Sequence, residues 1–411
     1  MILIGDCREQ MRTMPGCSID SIVTDPPYEL DFMGKRWDSS GVAFDEKVWA
    51  EALRVLKPGG HLLAFGGTRT WHRMAVAIED AGFEIRDSIH WTYGSGFPKS
   101  LDVSKAIDKA AGVQPDRVTE NGDAGWNATP RQLHYDRAHT DAARQWAGWG
   151  TALKPSHEPI VMARKPLSGT VAATVLEHGT GAINVDGCRI GTAEDTRRNA
   201  AGGDNGLLGS STFQIRERRA EDQPERAGRW PANTVLSHCA DCTADGCGPS
   251  CPVADLDRQS GDRPGGNFPE GGKRSGASDT AYGAFSGNGQ PARAMGDSGG
   301  ASRFFHVTAA PIVYVPKSSR SERNAGVNAN GHPTVKPVDL MRWLVRLVTP
   351  PGGTVLDPFL GSGTTAVAAV LEGMDWIGCE LTADYIPIIE GRVARAEARG
   401  HQASLFEEDD V

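Results

Sequence analysis

Four consecutive residues near the start of the chain, Asp25, Pro26, Pro27 and Tyr28, could do chemistry on an amine. They follow the apolar run SIDSIV, and because two prolines cannot donate to a strand ladder, the strand must end there. The Asp25 carboxylate and the Pro26 carbonyl can accept amine hydrogens, and the Tyr28 ring offers a face for stacking. The stretch TDPPY is therefore predicted to present a site. The plain alternative is a proline turn with an N-capping acid.

A glycine-rich turn near the other end of the chain has the spacing of a nucleotide-cofactor loop. In TVLDPFLGSGTTAVAAV a strand ends at Asp357, a small-residue helix begins near Thr364, and Gly361, Gly363 and Ala366 match G-x-G-x-x-G/A. The alternatives are an ordinary strand-to-helix turn and a phosphate-binding P-loop, but no lysine precedes the hydroxyl residues. The Asp357 carboxylate disfavours a pyrophosphate and suits a ligand with ammonium and sulfonium groups, such as S-adenosylmethionine.

A second acid, Glu380, follows this turn by about 20 residues, at the end of the next predicted strand. Acids at that place in dinucleotide sites accept hydrogen bonds from ribose hydroxyls. Glu380 is therefore predicted to bind the ribose of the cofactor.

The elements that must position these residues alternate between strand and helix. Predicted strands are ILIGD, SIDSIVT, HLLAF, FEIRDSIHW, GGTVLD and DWIGCEL. The segments between them have apolar residues at helical spacing and are predicted to be helices, one of which KPGG is expected to stop before HLLAF. This alternation predicts an α/β fold with a parallel sheet covered by helices on both faces. From roughly residue 165 to residue 303 the pattern fades into a Gly-, Pro-, Ser- and Arg-rich stretch, which is interpreted as an irregular insertion.

Composition sets limits on the class of protein. The chain has 411 residues, 39% of them hydrophobic, which is enough for a large buried core. No signal peptide and no membrane-spanning run is recognised, so a cytoplasmic protein is expected. The formal charge of −9 argues against a chain that is basic all over, although it leaves room for a local basic groove.

Three motifs together carry a family resemblance. TDPPY, HPTVKPVDLMRWLV and DPFLGSGTT, in this order, resemble the amino-group DNA methyltransferases in their circularly permuted β-class arrangement. The resemblance implies a Rossmann-like class I methyltransferase sheet. It divides the chain into a catalytic half (1–165), an inserted target-recognition region (166–303), a cofactor-binding half (304–395) and an acidic tail (396–411). GGTVLD and DWIGCEL would be the first two strands of the sheet, ILIGD the third and SIDSIVT the fourth.

The resemblance also implies roles for single residues. Asp25, Pro26, Pro27 and Tyr28 would be catalytic. Asp6 and Cys7 would contact the adenine of the cofactor, although Asp6 also suits a plain N-cap. Thr334 and Lys336 would lie near the methionine carboxylate, unless TVKP is only a turn that starts a helix. The full set of implied cofactor residues is Asp6, Cys7, Thr334, Lys336, Asp357, Phe359, Gly361, Gly363, Thr364 and Glu380.

The implied reaction is methylation of the exocyclic N6 of adenine in double-stranded DNA by S-adenosylmethionine. Cytosine N4 is the alternative target. A second alternative function is a catalytically silent DNA-binding relative. A glutamine methyltransferase is disfavoured because it would carry Asn in place of Asp25. The resemblance implies that the arginine-rich stretches of the insertion contact DNA, although interspersed acids are typical of a solvated surface. A homodimer and a cognate restriction nuclease are further expectations, and no membrane partner is expected.

A cluster of cysteines lies within the predicted insertion. Cys239, Cys242, Cys247 and Cys251 stand as HCADCTADGCGPSC, which is C-x2-C-x4-C-x3-C. In a chain without a secretory signal, such dense thiols indicate either a structural zinc site or ordinary reduced cysteines.

Overall fold

The structure is a computed structural model of the chain, and it divides into two compact units, Met1–Ser95 with His157–Val411, and Gly96–Ser156. The residues that it describes are 1–30, 39–93, 100–113, 117–119, 132–134, 138–190, 229–238, 242, 247–248, 251–264, 267–268, 279–280, 283–284, 293–294, 298–308, 323–327, 330, 332 and 334–407.

In the described part of the larger unit, nine strands form the main sheet, in the spatial order β1-β9-β8-β2-β3-β5-β4-β6-β7. Their bounds are β1 (Ile2–Ile4), β2 (Ile19–Thr24), β3 (Leu56–Phe65), β4 (Glu84–Thr92), β5 (His157–Arg164), β6 (Thr234–Ser237), β7 (His306–Thr308), β8 (Thr354–Asp357) and β9 (Asp375–Glu380).

The strand order confirms the predicted permutation. GGTVLD, DWIGCEL, ILIGD and SIDSIVT become β8, β9, β1 and β2, and these four lie in the order third, second, first, fourth. All their contacts are parallel. The order reverses between β8 and β2, and such a reversal opens a crevice at the carboxyl ends of the strands.

The sheet is not wholly parallel, which corrects the sequence-based expectation. β5 runs antiparallel between β3 and β4. Its run HEPIVMAR is buried along nearly its whole length, and a strand buried on both faces reads as a continuous apolar run that carries no signal of its direction. The segment KPGG was predicted to stop the helix before the strand HLLAF. The helix α2 does end at Val55, but the strand β3 begins at Leu56 and includes KPGG, so it starts earlier than predicted.

Helices cover both faces of the sheet. The helices of the larger unit are α1 (Cys7–Arg12), α2 (Glu46–Val55), α3 (Trp71–Asp80), α6 (Val171–His178), α7 (Pro252–Ser260), α8 (Val338–Val348), α9 (Thr364–Leu371) and α10 (Ile386–Glu407), whereas α4 (Val103–Ala110) and α5 (Asp141–Gln145) belong to the smaller unit. Four single 3-10 turns lie at Val42–Phe44, Asp186–Cys188, Ala301–Phe304 and Ala383–Tyr385. None of the helices in the described ranges is both long and apolar enough to cross a membrane.

Two apolar cores pack against opposite faces of the sheet. Because successive residues of a strand point to opposite faces, Ile22 and Leu62 lie in one core while Val23 and Leu63 lie in the other. α1, α2 and α3 contribute to the first core, and α8 and α9 contribute to the second. Helices on both faces leave the strand ends as the open surface.

Part of the predicted insertion belongs to the main sheet. β6, within residues 166–303, pairs parallel with β4, and β7 pairs parallel with β6. Three short antiparallel pairs join Arg263–Pro264 to Ser298–Gly299, Asn267–Phe268 to Arg293–Ala294, and Asp279–Thr280 to Gly283–Ala284.

The smaller unit is held by a buried acid. Asp108, on α4, accepts hydrogen bonds from the His139 N–H at 2.8 Å and the Thr140 N–H at 3.0 Å, just before α5. The Thr140 hydroxyl also donates to Asp108 at 2.8 Å. Arg117–Thr119 pairs antiparallel with Gln132–His134 in the same unit.

Candidate active site

The candidate active site lies where β2 and β8 end side by side, at the reversal of strand order. Asp357 ends β8 and is buried. Thr24, the last residue of β2, donates its hydroxyl to Asp357 Oδ1 at 2.6 Å, and the Thr365 hydroxyl donates to Oδ2 at 2.6 Å. The Phe359 N–H donates to Oδ1 at 3.0 Å. Asp357 therefore joins the strand that carries TDPPY to the glycine loop.

Among the described residues, only one carboxylate oxygen of Asp25 has a partner. The side chain of Lys336 is 3% exposed, and its Nζ forms an ion pair with Asp25 Oδ2. Asp25 Oδ1 is buried and has no hydrogen-bond partner among the residues that the structure describes. Leaving a buried acceptor unpaired costs about 1–3 kcal/mol, so such an atom in a crevice indicates a ligand donor. Lys336 was expected near the methionine carboxylate of the cofactor, whereas its observed partner is Asp25.

Tyr28 is held in a fixed direction from two sides. Its hydroxyl donates to Glu158 Oε2 at 2.7 Å and accepts from Lys336 Nζ at 3.1 Å. The Thr70 hydroxyl donates to the Tyr28 carbonyl at 2.8 Å. Tyr93 donates to the other oxygen of Glu158 at 3.3 Å. The Tyr28 ring is half-buried, so its anchored hydroxyl sets the plane of a ring that is still partly open.

Asp25, Glu158 and Lys336 form one cluster. Lys336 Nζ lies 3.6 Å from Glu158 Oε2 and 4.6 Å from the centre of the Phe65 ring. Burial, reinforced by the two carboxylates, raises the pKa of Tyr28, so its hydroxyl stays protonated and donates. With the three charged groups ionised, the cluster carries a net charge of minus one, which suits an atom that becomes positive during a reaction.

The two glycines of the cofactor loop lie where side chains do not fit. Gly361 has φ +55° and Gly363 has φ +78°, in the left-handed region that favours glycine. A Cβ on Gly361 would lie 2.9 Å from His332 Nε2, and one on Gly363 would lie 2.9 Å from Ile389 Cγ2. The loop therefore depends on glycine both for its backbone angles and for its packing.

Glu380, at the end of β9, supports the same loop. Its Oε2 accepts from the Gly361 N–H at 2.7 Å, and its Oε1 accepts from the Thr382 N–H at 2.8 Å. Burial raises the pKa of this carboxyl. Each oxygen accepts one of these bonds and has capacity for a further donor, as the predicted ribose contact requires.

Asp6 and Cys7 have structural roles in the fold. Asp6 is the N-cap of α1, where it accepts from the Arg8 N–H at 2.9 Å and pairs with the Arg8 guanidinium at 2.6 Å. The Arg8 hydrogen bond lowers the pKa of Asp6, and burial raises the pKa of the Cys7 thiol to about 12. The N-cap alternative is thus observed. The Gly5 N–H donates to the Glu380 carbonyl at 2.9 Å, so Asp6 also borders the predicted ribose site.

The remaining predicted cofactor residues surround the loop. The buried Thr364 hydroxyl accepts from the Arg392 guanidinium at 3.0 Å. Thr334 is partly exposed, with its carbonyl 2.8 Å from His332 Nδ1. Phe359 is half-buried. Thr364 and Arg392 therefore fix the start of α9.

Several residues of the site carried no role in the sequence-based prediction, and Glu158 and His332 are two of them. Glu158 stands at the start of the apolar run EPIVMAR. An acid in such a run could have indicated a functional residue, since a buried charge requires a partner. His332 begins the motif HPTVKP, and its ring packs against the Gly361 loop and, at 4.7 Å, against Tyr385. Its contact with a glycine 29 positions away could not be read from spacing.

Replacing Asp357 with Asn should raise the stability of the protein at pH 8. Burial raises the pKa of Asp357 from 3.8 to about 6. This group therefore contributes stability that is fully present below pH 3.8 and is lost as the pH rises through about 6. A shift of roughly two units corresponds to about 3 kcal/mol, and asparagine removes that penalty while keeping an acceptor for Thr24.

Chemical denaturation of both proteins at pH 8 and pH 5 measures this effect. The advantage of Asp357→Asn should shrink by about 1 kcal/mol at pH 5, where the wild-type carboxyl binds a proton. Asp375→Asn, an exposed acid on the neighbouring strand β9, is the matched control and should show no such difference. A variant that is less stable than wild type at pH 8 would contradict the expectation.

The cysteines of the predicted metal site are partly described. Cys242, Cys247 and Cys251 lie close together with His238, whereas Cys239 lies outside the described residues.

A doubly wound sheet, with a glycine loop on one side of the strand reversal and the acidic cluster on the other, has the Rossmann-like methyltransferase class of fold. A family model described as DNA methylase matches residues 19–391. The chain therefore belongs to the N6/N4 DNA methylase family, as the three motifs predicted. This membership supports S-adenosylmethionine as the cofactor.

Individual relatives match shorter stretches. The Type II methyltransferase M.ScaI of Streptomyces caespitosus is 36% identical over 91 residues, which are 22% of this chain and 28% of that protein. The Type II methyltransferase M.HindIII of Haemophilus influenzae is 28% identical over 137 residues, 33% of this chain and 36% of that protein. The chain thus spans about a third of the length of these curated relatives. The cytosine-N4-specific PvuII DNA methyltransferase structure is 13% identical, with a TM-score of 0.43 and coverage of 97% of this chain and 91% of that one.

Proposed function

We propose that the chain is a cytoplasmic enzyme that transfers a methyl group from S-adenosylmethionine to the N6 of adenine in double-stranded DNA. The observation that carries this proposal is Asp25 Oδ1, a buried acceptor without a partner among the described residues. An amino group on a base supplies the missing hydrogen-bond donor. The Tyr28 ring beside it supplies the stacking face that such a base requires.

Asp25 and Pro26 would prepare the amine. An exocyclic amine is a poor nucleophile because its lone pair is delocalised into the ring. If Asp25 Oδ1 accepts one hydrogen and the Pro26 carbonyl accepts the other, the nitrogen becomes pyramidal and its lone pair becomes available. Lys336 holds Asp25 Oδ2, so the carboxylate keeps Oδ1 directed at the amine.

The charged cluster would then act in the transition state. The amine nitrogen becomes positive as it gains the methyl group, and the net negative charge of Asp25, Glu158 and Lys336 stabilises that charge in a buried setting. Because these groups are already in place, no reorganisation is needed when the charge develops.

The glycine loop fits the proposed cofactor. S-adenosylmethionine, when bound, supplies an electrophilic methyl group on its sulfonium. Gly361 and Gly363 add no side chain to the loop, and Glu380 offers acceptors for ribose hydroxyls. The other proposed cofactor residues are Asp6, Cys7, Thr334, Asp357, Phe359 and Thr364.

Adenine is proposed as the base because the tetrad begins with Asp25, whereas cytosine-N4 enzymes more often resemble a tetrad that begins with Ser. Cytosine N4 is the second candidate, since the family includes both activities by name. A cognate nuclease is proposed because the curated relatives are named as Type II methyltransferases. Residues 166–303 are proposed to recognise the target sequence, and a homodimer stays a prediction.

Nucleoside analysis of DNA treated with the purified chain tests the function. Mixed bacterial DNA is incubated with a tritiated methyl donor, digested and separated. Label in N6-methyladenine is expected. Label in N4-methylcytosine would support the same mechanism but show that the base is cytosine and not adenine. A protein that binds cofactor and DNA but transfers no label would be the catalytically silent relative.

Tyr28→Phe should retain partial activity, whereas Tyr28→Ala should lose most of it. The ring provides stacking worth on the order of 1–3 kcal/mol, and phenylalanine keeps it. The lost hydroxyl is a donor to Glu158, so Tyr28→Phe should also lower the free energy of unfolding by about 1–3 kcal/mol. Turnover and denaturation midpoints measure the two effects.

Tyr93→Phe is the matched control for Tyr28→Phe, because it removes the longer bond to the same carboxylate and leaves the Tyr28 ring untouched. Its effect on stability should be smaller. If Tyr28→Phe were as inactive as Tyr28→Ala while remaining folded, stacking would not be the role of this residue.

A further inference from the structure

A second cluster of chemically active side chains lies away from the active site, at the edge of the sheet formed by β6 and β7. His238, Cys242, Cys247 and Cys251 each offer a ligand atom, and all four atoms lie within 4.8 Å of one another. We propose that these four residues bind one structural zinc ion. The proposed set has four ligands with His238 among them, whereas the expectation from spacing took the fourth ligand to be Cys239, which lies outside the described residues.

The distances fit tetrahedral zinc. Zn–S bonds of about 2.3 Å and Zn–N bonds of about 2.0 Å place a sulfur and a nitrogen ligand roughly 3.5 Å apart. His238 Nδ1 lies 3.3 Å from Cys251 Sγ and 3.4 Å from Cys247 Sγ. A histidine and three cysteines form one of the common ligand sets of closed structural zinc sites.

Backbone contacts within the cluster bring the ligand atoms together. The Gly248 N–H lies 3.4 Å from Cys242 Sγ, to which it donates. Cys251 is buried and immediately precedes α7. The Cys251 N–H donates to the Gly248 carbonyl at 3.1 Å, and this turn brings Cys247 and Cys251 together.

Among the residues that the structure describes, the core around the cluster is small. Its buried members are Leu236, Cys251 and Val253. Small substructures of this kind are usually stabilised by a metal or by disulfides, and metal binding then contributes directly to folding. A zinc ion here would join the end of β6, at His238, to the start of α7, at Cys251.

The effect of the metal would extend to the sheet edge. Asp257 on α7 accepts from the Ser302 N–H at 2.7 Å and from the Ser302 hydroxyl at 2.6 Å. Ser302 lies in the turn just before β7, and β7 pairs with β6. Contacts therefore link the zinc site to α7, α7 to the turn before β7, β7 to β6, and β6 back to the zinc site. The ion would stabilise this part of the chain, which borders the proposed target-recognition region.

Metal analysis of the full chain tests the proposal. The reduced, untagged protein is purified with zinc in the medium and dialysed against zinc-free buffer, and elemental analysis should find about one zinc per chain. Cys242→Ser and His238→Ala should each lose nearly all of it. Cys239→Ser and Cys17→Ser, an exposed cysteine away from the cluster, are the matched controls and should keep it.

Cobalt(II) spectroscopy identifies the ligands without relying on a destabilised variant. After chelation, wild type reloaded with cobalt(II) should show tetrahedral d–d bands and charge transfer from three thiolates. His238→Cys should raise the charge-transfer intensity to about four-thirds of the wild-type value, since a fourth thiolate is added. Only trace metal in the zinc-supplemented wild type would overturn the site. Loss of metal in Cys239→Ser with retention in His238→Ala would overturn the ligand assignment.

Discussion

Asp25→Ala should slow methyl transfer by about 10²- to 10³-fold, the typical cost of removing one preorganised group that stabilises transition-state charge. Asp25 Oδ1 has no partner among the described residues before the substrate arrives, so the interaction it makes is with the reacting amine. Its benefit grows as the nitrogen becomes positive, and the loss should therefore appear in the rate of the chemical step more than in substrate binding.

Asp25→Asn sharpens this test because it preserves the shape of the side chain. If the role of Asp25 were only to pair with Lys336, both variants would lower stability and leave the rate per folded molecule unchanged. Under the proposed mechanism, both slow single-turnover methylation while cofactor and DNA affinities, measured by calorimetry and fluorescence anisotropy, stay near the wild-type values. Asp375→Ala, an exposed acid, is the control. Full activity in Asp25→Ala, or a methyl group on a cytosine carbon, would refute the assignment.

Gly363→Asp should abolish cofactor binding. Gly363 is the N-cap of α9 at φ +78°, and a Cβ there would lie 2.9 Å from Ile389 Cγ2. Relief of that contact requires the loop to move away from α10. The new carboxylate also adds negative charge beside Asp357 and Glu380. Calorimetry with S-adenosylmethionine should show an affinity reduced by more than about 100-fold, or no binding.

The control separates backbone strain from the cofactor site. Gly373, just after α9, has φ +68°, but a Cβ there would meet nothing within 4 Å. Gly373→Asp should therefore lose about 1 kcal/mol of stability and keep its cofactor affinity. Circular dichroism confirms that both variants are folded. Unchanged affinity in folded Gly363→Asp would show that this loop does not contact the cofactor.

Local patterns predicted the parts of the fold that local forces determine. The glycines at 361 and 363 and the acid at 380 follow from strand-end chemistry, and the structure places them in one loop network. The permuted strand order was also predictable, because each strand carries its own motif. The antiparallel direction of β5 was not, since a buried apolar run is the same in either direction.

Long-range partners explain the remaining differences. Lys336 and Asp25 are 311 positions apart, and nothing in TVKP shows that its lysine reaches the acid of TDPPY. Glu158 joins the same cluster from a strand that no motif identifies. His238, which lies with the three described cysteines, carried no role in the sequence-based prediction because four cysteines already satisfied the expected ligand count.

The pairing of β2 with β8 has a consequence for synthesis of the protein. Thr24 hydrogen-bonds to Asp357, 333 positions later, and Lys336 reaches back to Asp25. The acidic segment thus leaves the ribosome long before its neighbours exist, and such distant contacts fold slowly. A nascent chain cut short before residue 336 carries TDPPY without the ammonium that orients it. The acidic cluster can therefore assemble only after Lys336 and β8 have been made, and products that end before Lys336 should lack the proposed methyl-transfer activity.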